Sequence, residues 1–384
     1  MKKFTKLTSL VLAAAMTVSA LAGCGSSASS DTFKIGGIGP ITGGAAIYGT
    51  AVMNGAQLAI DEINAAGGIN GCQIEYNFQD DECDNEKSVN AYNVLKDWGM
   101  NILVGSVTSG CCIAVAAESV NDNMFQITPS GSAVDCIANK NVFQVCFSDP
   151  NQGVGAATYI GQNAVASKVA VIYDSSDPYS SGIYAKFAAE AKNQNFEIVS
   201  AEAFTADNKT DFSVQLQKAA DNGAELVFLP IYYTEASLIL SQAASAGYDF
   251  KFFGCDGLDG ILGVENFDTS LAEGVMLLTP FAADANDAQT KKFVADYQAK
   301  FNETPNQFAA DAYDAVYIIK AAAEKANVKP DMGVSAMSDA LQAAMLEVSV
   351  DGLTGAAMSW DAEGAVNKAP KAMVIVNGNY SLIQ

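Results

Sequence analysis

The sequence predicts an α/β protein of two hinged lobes, each a parallel sheet flanked by helices, and three observations lead there. Short β-rich runs alternate with helical patterns over most of the chain. Those runs are apolar at nearly every residue, as strands covered on both faces must be. The 384 residues are 50% hydrophobic, enough to bury more than one core.

The elements follow in order. Lys2, Lys3 and Lys6 precede an apolar run from Leu7 to Ala20 and then Leu21-Ala22-Gly23-Cys24. This pattern predicts a bacterial lipoprotein signal over residues 1–23: the lysines stay inside, the apolar run enters the translocon, and small residues expose the bond before a thiol that is then diacylated. The run falls short of the roughly 20 apolar residues a spanning helix needs. Cys24 is thus the expected lipid anchor, on the extracytoplasmic face of the cell membrane. The small polar stretch over residues 24–30 reads as a tether. Strands are expected at Phe33–Ile38, Gln73–Phe78, Asn101–Gly105, Phe125–Thr128, Lys168–Tyr173 and Glu225–Pro230. A helix is expected after Tyr48, where Val52, Ala56, Ala59, Ile60 and Ile63 share one face and Gly67-Gly68 stops it. The halves echo each other. Phe33–Ile38 leads through a Gly-rich loop to Tyr48-Gly49, and Lys168–Tyr173 leads through Asp174-Ser175-Ser176-Asp177-Pro178 to Tyr179-Ser180.

Composition excludes several functions. The chain has no histidine, its basic residues are all lysines, and its net charge is −22, more negative once the leader lysines go. Such a surface repels nucleic acid and anionic lipid. Serine–histidine and cysteine–histidine catalysis are excluded, and the usual zinc sites lose their commonest ligand. Nothing marks out one pair among the 43 acidic residues for carboxylate chemistry. Neither enzyme activity, nor a metal, nor a cofactor is therefore expected. Cys72, Cys83, Cys111, Cys112, Cys136, Cys146 and Cys255 follow Cys24. Cys83 with Cys111 or Cys112, and Cys136 with Cys146, are candidate disulfides outside the cell, and an odd number leaves at least one unpaired.

In doubly wound folds the functional ground lies beyond the carboxyl ends of the strands. There the chain places Ser106-Val107-Thr108-Ser109-Gly110, with a helix from about Cys111, and Pro129-Ser130-Gly131-Ser132. Hydroxyls and free N–H groups at a helix start cradle a carboxylate; as plain structure, Ser109 would be a helix cap and Ser132 a turn residue. Ile231-Tyr232-Tyr233 ends another strand, and Phe253-Gly254-Cys255-Asp256-Gly257 ends the next. With no Arg or His to pair it, Asp256 is either solvated or set to meet a cation.

These residues carry a family resemblance. Gly39-Pro40 with Thr42-Gly43, the helix Asn54-Gly55-Ala56-Gln57-Leu58-Ala59-Ile60 running into Asn64-Ala65-Ala66-Gly67-Gly68-Ile69-Asn70-Gly71, and Asp80-Asp81-Glu82-Cys83-Asp84 resemble the branched-chain amino-acid binding proteins of ABC transporters. The likeness continues through Thr128-Pro129-Ser130, Tyr232-Tyr233 and Phe308–Tyr313. It implies the type I periplasmic-binding fold: two Rossmann-like lobes, 31–151 plus 280–351 and 152–279 plus 352–384, with chain crossings near 150, 280 and 352.

The resemblance implies that Ser109, the backbone of Ser130 and the hydroxyl of Ser132 hold an α-carboxylate. Asp256, with Tyr232, would meet the α-ammonium, and Tyr48, Tyr179 and Phe308 would wall the side chain. The implied ligand is a neutral amino acid, Leu, Ile or Val, captured by a monomer that delivers it to an ABC permease and its ATPases. Related members bind small amides, urea or aromatic acids, and a ligand sensor shares the same cleft. Two departures stand out. Asp256 replaces the Glu of the best-known members, and Thr108 stands where they carry a cysteine, so a disulfide from Cys83 would need Cys111 or Cys112.

Overall fold

In a computed structural model that describes residues 32–383, the alternation resolves into two sheets. The leader, Cys24 and the tether lie outside the described residues. The first sheet contains β1 (Thr32–Gly39), β2 (Gln73–Asp80), β3 (Ile102–Val104), β4 (Phe125–Thr128) and β5 (Val142–Gln144), all parallel, in the order β2-β1-β3-β4-β5. Its connections are α1 (Ala46–Ala65), α2 (Asn85–Trp98) and α3 (Ser109–Asp122). β3 and β4 are buried throughout; β3 is wholly apolar, and in β4 the buried Gln126 is satisfied by bonds from Ser119 Oγ and to the Gly105 carbonyl.

α4 (Asp149–Gln162) leads into the second sheet: β6 (Lys168–Asp174), β7 (Glu197–Phe204), β8 (Leu226–Leu229), β9 (Lys251–Gly254) and β10 (Met276–Thr279). Helices α5 (Pro178–Glu190), α6 (Ser213–Asp221) and α7 (Tyr233–Ala246) join them. Their order, β7-β6-β8-β9-β10, repeats that of the first sheet, so the sequence echo is an echo of topology. After β10 the chain forms α8 (Ala288–Phe301), α9 (Gln307–Ala326) and α10 (Val334–Met345), then returns as β11 (Lys371–Val376) and β12 (Asn379–Leu382). To the parallel strands that the sequence predicts, the second sheet adds an antiparallel edge, since β10–β11 and β11–β12 pair antiparallel. Asn377 and Gly378, both at positive φ, form the two-residue turn that an antiparallel hairpin favours.

α1 begins at Ala46, so Tyr48 lies in its first turn rather than before it. It ends where expected: Gly67 and Gly68 adopt left-handed φ, and the Gly68 N–H returns to the Ile63 carbonyl at 2.8 Å. α1 runs against α9 at close range, and a Cβ on Gly55 would strike the Ala309 carbonyl. On the other face of the first sheet, Tyr92 and Leu95 of α2 and Val115 of α3 cover Ile38 and Leu103. α4 and α5 cover one face of the second sheet through Ile160, Ile183 and Phe187 against Val169 and Phe228. Burying such a side chain fully contributes about 1.5–3 kcal/mol. Beyond α10 the chain stays on the first sheet: the Trp360 indole donates to the Gln144 carbonyl at 2.7 Å and the Gln144 N–H to the Gly364 carbonyl at 3.0 Å. It joins the second sheet only at Lys371, later than the crossing near 352 that the resemblance implies. No helix among the described residues is long and apolar enough to cross a membrane.

Candidate functional site

In each sheet the strand order reverses beside the first strand of the repeat, next to β1 in one and β6 in the other. Crevices open at such switch points. The segments leaving β1, β3, β6, β8 and β9 there carry Tyr48, Ser109, Tyr179, Tyr232 and Asp256. Seven of the eight expected site residues line one cavity: Tyr48, Ser109, Ser130, Tyr179, Tyr232, Asp256 and Phe308, together with Val107, Thr108 and Gly257. The space left among them is about 10 Å³, room for one water at most.

The space is small because the walls bond to each other. Tyr179 Oη donates to Asp256 Oδ1 at 2.7 Å and accepts from the Gly257 N–H at 2.9 Å. Tyr48 Oη donates to the Gly257 carbonyl and accepts from the Tyr233 N–H at 3.2 Å, tying α1 to the start of α7. Thr234 Oγ1 donates to the Gly44 carbonyl at 2.6 Å, and the Ile47 N–H donates to Tyr233 Oη at 3.1 Å. The rings form one aromatic lining, with Tyr179 stacked on Tyr232 at 5.1 Å, and Tyr48 4.4 Å from Phe308 and 5.5 Å from Tyr232.

Asp256 is the only charged residue in the lining, and 4% exposed. Burial pushes its carboxyl up to about 7, against the pull of the hydrogen bonds from Tyr179 and Gln152. Its backbone is held from both lobes: its N–H donates to Gln152 Oε1 at 3.1 Å and its carbonyl accepts from Gln307 Nε2 at 2.9 Å. Sequence reading missed both glutamines. Gln307 adjoins Phe308 and could have been found through it; Gln152, 104 residues from Asp256, carried no local signal.

The opposite end of the cavity is neutral. α3 begins at Ser109, not Cys111, and its N-cap Thr108 makes no side-chain cap bond, so the first-turn N–H groups are left for another acceptor. Ser109 is therefore not the cap. Its Oγ accepts the N–H groups of Ser132 and Ala133, both at 3.2 Å, which leaves its hydroxyl proton to donate. Ser130 Oγ donates to the Val107 carbonyl at 2.7 Å. Ser132 does not line the cavity; it is fully buried one layer back, its hydroxyl beside the Asp149 carboxyl. None of the seven cysteines from Cys72 onward forms a disulfide. Cys83 lies against Cys111, in the first turn of α3, and its thiol also reaches Thr108 Oγ1 at 3.6 Å. Cys136 packs with Cys112 and Ala133 rather than pairing with Cys146, since the helical turn at Val134–Ile137 aims it at α3.

A model of the periplasmic binding protein family matches residues 32–379. The chain belongs to that family. Among curated members of this family, it is 31% identical over 329 residues to the leucine-, isoleucine-, valine-, threonine- and alanine-binding protein of Pseudomonas aeruginosa, covering 85% of this chain and 86% of that one. It is 32% identical to Leu/Ile/Val-binding protein homolog 3 of Brucella melitensis, covering 84% and 86%. Among solved periplasmic binding proteins, the branched-chain amino acid transporter substrate-binding protein of Streptococcus pneumoniae, in complex with isoleucine, superposes with a TM-score of 0.82 at 32% identity, covering 91% of this chain and 98% of that one. A leucine-binding protein of Thermotoga maritima gives 0.81 at 25% identity, covering 92% and 98%.

Proposed function

We propose that this periplasmic binding protein is the extracytoplasmic component of an ABC importer that captures a neutral, branched-chain amino acid and hands it to the permease. The observation that carries the reading is the polarity of the cavity: one buried carboxylate at one end, hydroxyls and uncapped helix N–H groups at the other, and aromatic rings between. A zwitterion brings its own counter-charge, so such a site holds it without arginine. The ammonium takes Asp256 in place of the Tyr179 hydroxyl, and the carboxylate takes Ser109, the backbone of Ser130 and the α3 start. Ser132 supports Ser109 from behind. Tyr48, Tyr179, Tyr232 and Phe308 close over an aliphatic side chain, for which four apolar ring faces are suited and a second carboxylate or a sugar is not. The leucine, isoleucine and valine binding of the relatives supports this choice of side chain.

The bonds between the walls belong to a closed cleft. A ligand enters when the lobes part, and its contacts with both lobes then favour closure. The resemblance divides the lobes as 31–151 plus 280–351 and 152–279 plus 352–384; given the contacts of Trp360 with Gln144 and of Lys368 with Asp311, we take the last crossing at Lys371 instead, so residues 352–370 go with the first lobe. The chain acts as a monomer, binds rather than transforms its ligand, and is held at the membrane by a lipid on Cys24. Calorimetry with the common amino acids tests the assignment: leucine, isoleucine or valine is expected to bind most tightly. Preference for glutamate, a sugar or a peptide would overturn it.

A further inference from the structure

Behind the cleft, where the chain passes from the first sheet to the second, stands a buried polar group that the proposed site leaves unused. Asp149 opens α4 and is only 2% exposed. Its carboxyl faces the fully buried Ser132 hydroxyl, and neither group has another partner among the described residues. Buried hydroxyls and carboxyls seldom go unpaired, so these two serve each other. The backbone doubles the link: the Asp149 N–H donates to the Ser132 carbonyl at 2.9 Å. On its other side the carboxyl meets α5, since a Cβ on Gly182 would stand 3.3 Å from Oδ2. Asp149 therefore lies between a loop of the first sheet and a helix that covers the second.

We propose that Asp149 is a positioning residue for the carboxylate end of the cleft, acting through Ser132 on Ser109. Ser132 and Ala133 aim their N–H groups at Ser109 Oγ, both at 3.2 Å, which turns the Ser109 proton toward the ligand. The aim holds only while their loop keeps its place. Gln144 of β5 fixes the loop from its own sheet, its amide donating to the carbonyls of Gly131 at 2.9 Å and Ala133 at 3.2 Å. Asp149 fixes it from α4. Burial, and then the charges of Asp256 and Asp177, push the Asp149 carboxyl well above the usual carboxylate range. Residue 149 thus serves through an oxygen that accepts the Ser132 hydroxyl, rather than through a charge.

The same turn of α4 reaches the other end of the site. Gln152, three residues on, accepts the Asp256 N–H at 3.1 Å. One helical turn therefore stands behind both ends of the cavity: Asp149 behind the hydroxyls, Gln152 behind the carboxylate. With α4 docked on the Ser132 loop, the groups that meet the two charges of a zwitterion are held at a set spacing. A movement of α4 against the loop loosens Ser109, which ties the carboxylate contact to the closed arrangement.

The test is leucine calorimetry on the whole chain. Asp149→Leu keeps bulk and removes the acceptor, and is expected to weaken leucine binding about tenfold. Asp149→Asn restores an acceptor and brings affinity back to within about threefold of wild type. In a Ser109→Ala background Asp149→Leu costs nothing more, because the hydroxyl it positions is gone. In an Asp256→Asn background it costs its full factor, because the other end is untouched. A merely structural role would add the same cost in both. Ser132→Ala breaks the same link by deleting one atom and gives the same pattern, so the test stands even if Asp149→Leu does not fold. This role presupposes the amino acid proposed for the cleft: a wild type that ignores leucine would overturn both. With wild-type binding intact, native affinity in Asp149→Leu or Ser132→Ala, equal costs in the two backgrounds, or no recovery in Asp149→Asn would each overturn the positioning role alone.

Discussion

Replacing Asp256 by Asn keeps the shape of the carboxyl and removes its charge, which makes it the sharpest probe of the cleft. Burial in the closed cleft holds this carboxyl at about 7. An ammonium against it stabilises the ionised form and pulls its pKa down, so ligand binds the deprotonated protein and releases a proton wherever Asp256 was protonated. The sign follows: above about pH 7 affinity is flat, and below it affinity falls by up to tenfold per unit, each unit being about 1.4 kcal/mol. At about pH 5 the loss approaches 100-fold, provided the liganded carboxyl titrates below that. In Asp256→Asn the loss is already present at every pH. Truncating one partner of a buried charge pair costs about 2–5 kcal/mol, or roughly 30-fold and more in affinity. Calorimetric titration of leucine into both proteins across this range reads both effects, and repetition in buffers of different ionisation enthalpy counts the protons released. An Asn variant of native affinity, or one that keeps the wild-type pH dependence, would show that another group meets the ammonium.

Other consequences can be checked on the same material. Burial raises the carboxyls of Asp81 and Asp177 to about 7 and that of Asp314 to about 6, so the folded form binds more protons than the unfolded chain between about pH 4 and 7. Unliganded protein should therefore melt at a higher temperature near pH 5 than near pH 7.5, and a melting temperature that rises toward neutrality would refute the assignment. Lys368 donates to Asp311 at 2.8 Å and to Thr354 at 2.5 Å in a fully buried cluster, so Lys368→Met should cost about 3–5 kcal/mol in urea unfolding. Adding Asp311→Leu should recover most of that loss, and a harmless single variant would disprove the pairing. Cys111, Cys112, Cys136, Cys146 and Cys255 are buried, whereas Cys72 and Cys83 are half-exposed. Alkylation of the reduced native protein, mapped by mass spectrometry, should label Cys72 and Cys83 before the other five; early labelling of Cys112 or Cys255 would contradict this packing.

Most of the fold was legible because its signals are local. The apolar runs at Phe125–Thr128 and Lys168–Tyr173 are strands, and the helical face from Val52 to Ile63 is the buried face of α1. The antiparallel β11–β12 pair was missed although its Asn377-Gly378 turn stands in the sequence, since a regular βα alternation had set the expectation for the whole sheet. In the site, Asp256, Tyr232 and Ser109 could be found because switch-point crevices collect the residues that follow parallel strands. Ser132 was placed one layer too far forward: a turn read from sequence gives the position of a hydroxyl along the chain, not the side toward which it points. Gln152 and Gln307 were invisible for a different reason. Each depends on a contact between segments far apart in the chain, and such contacts leave no period or motif.

The close backbone contact between α1 and α9 has a mechanical consequence. Tyr48 and Phe308, two walls of the cleft, each stand in the first turn of one of these helices, so the distance between the helix axes sets the gap between the rings. Gly55 fixes that distance two turns below Tyr48, where any side chain would push against the Ala309 backbone and could be accommodated only by moving the helices apart. The pair works as a caliper with its adjusting screw outside the jaws. A methyl group added at residue 55 would push Ala309, and with it the neighbouring Phe308, away from α1, and the size of side chain the cleft accepts could then change with every residue that touches the ligand left as it was.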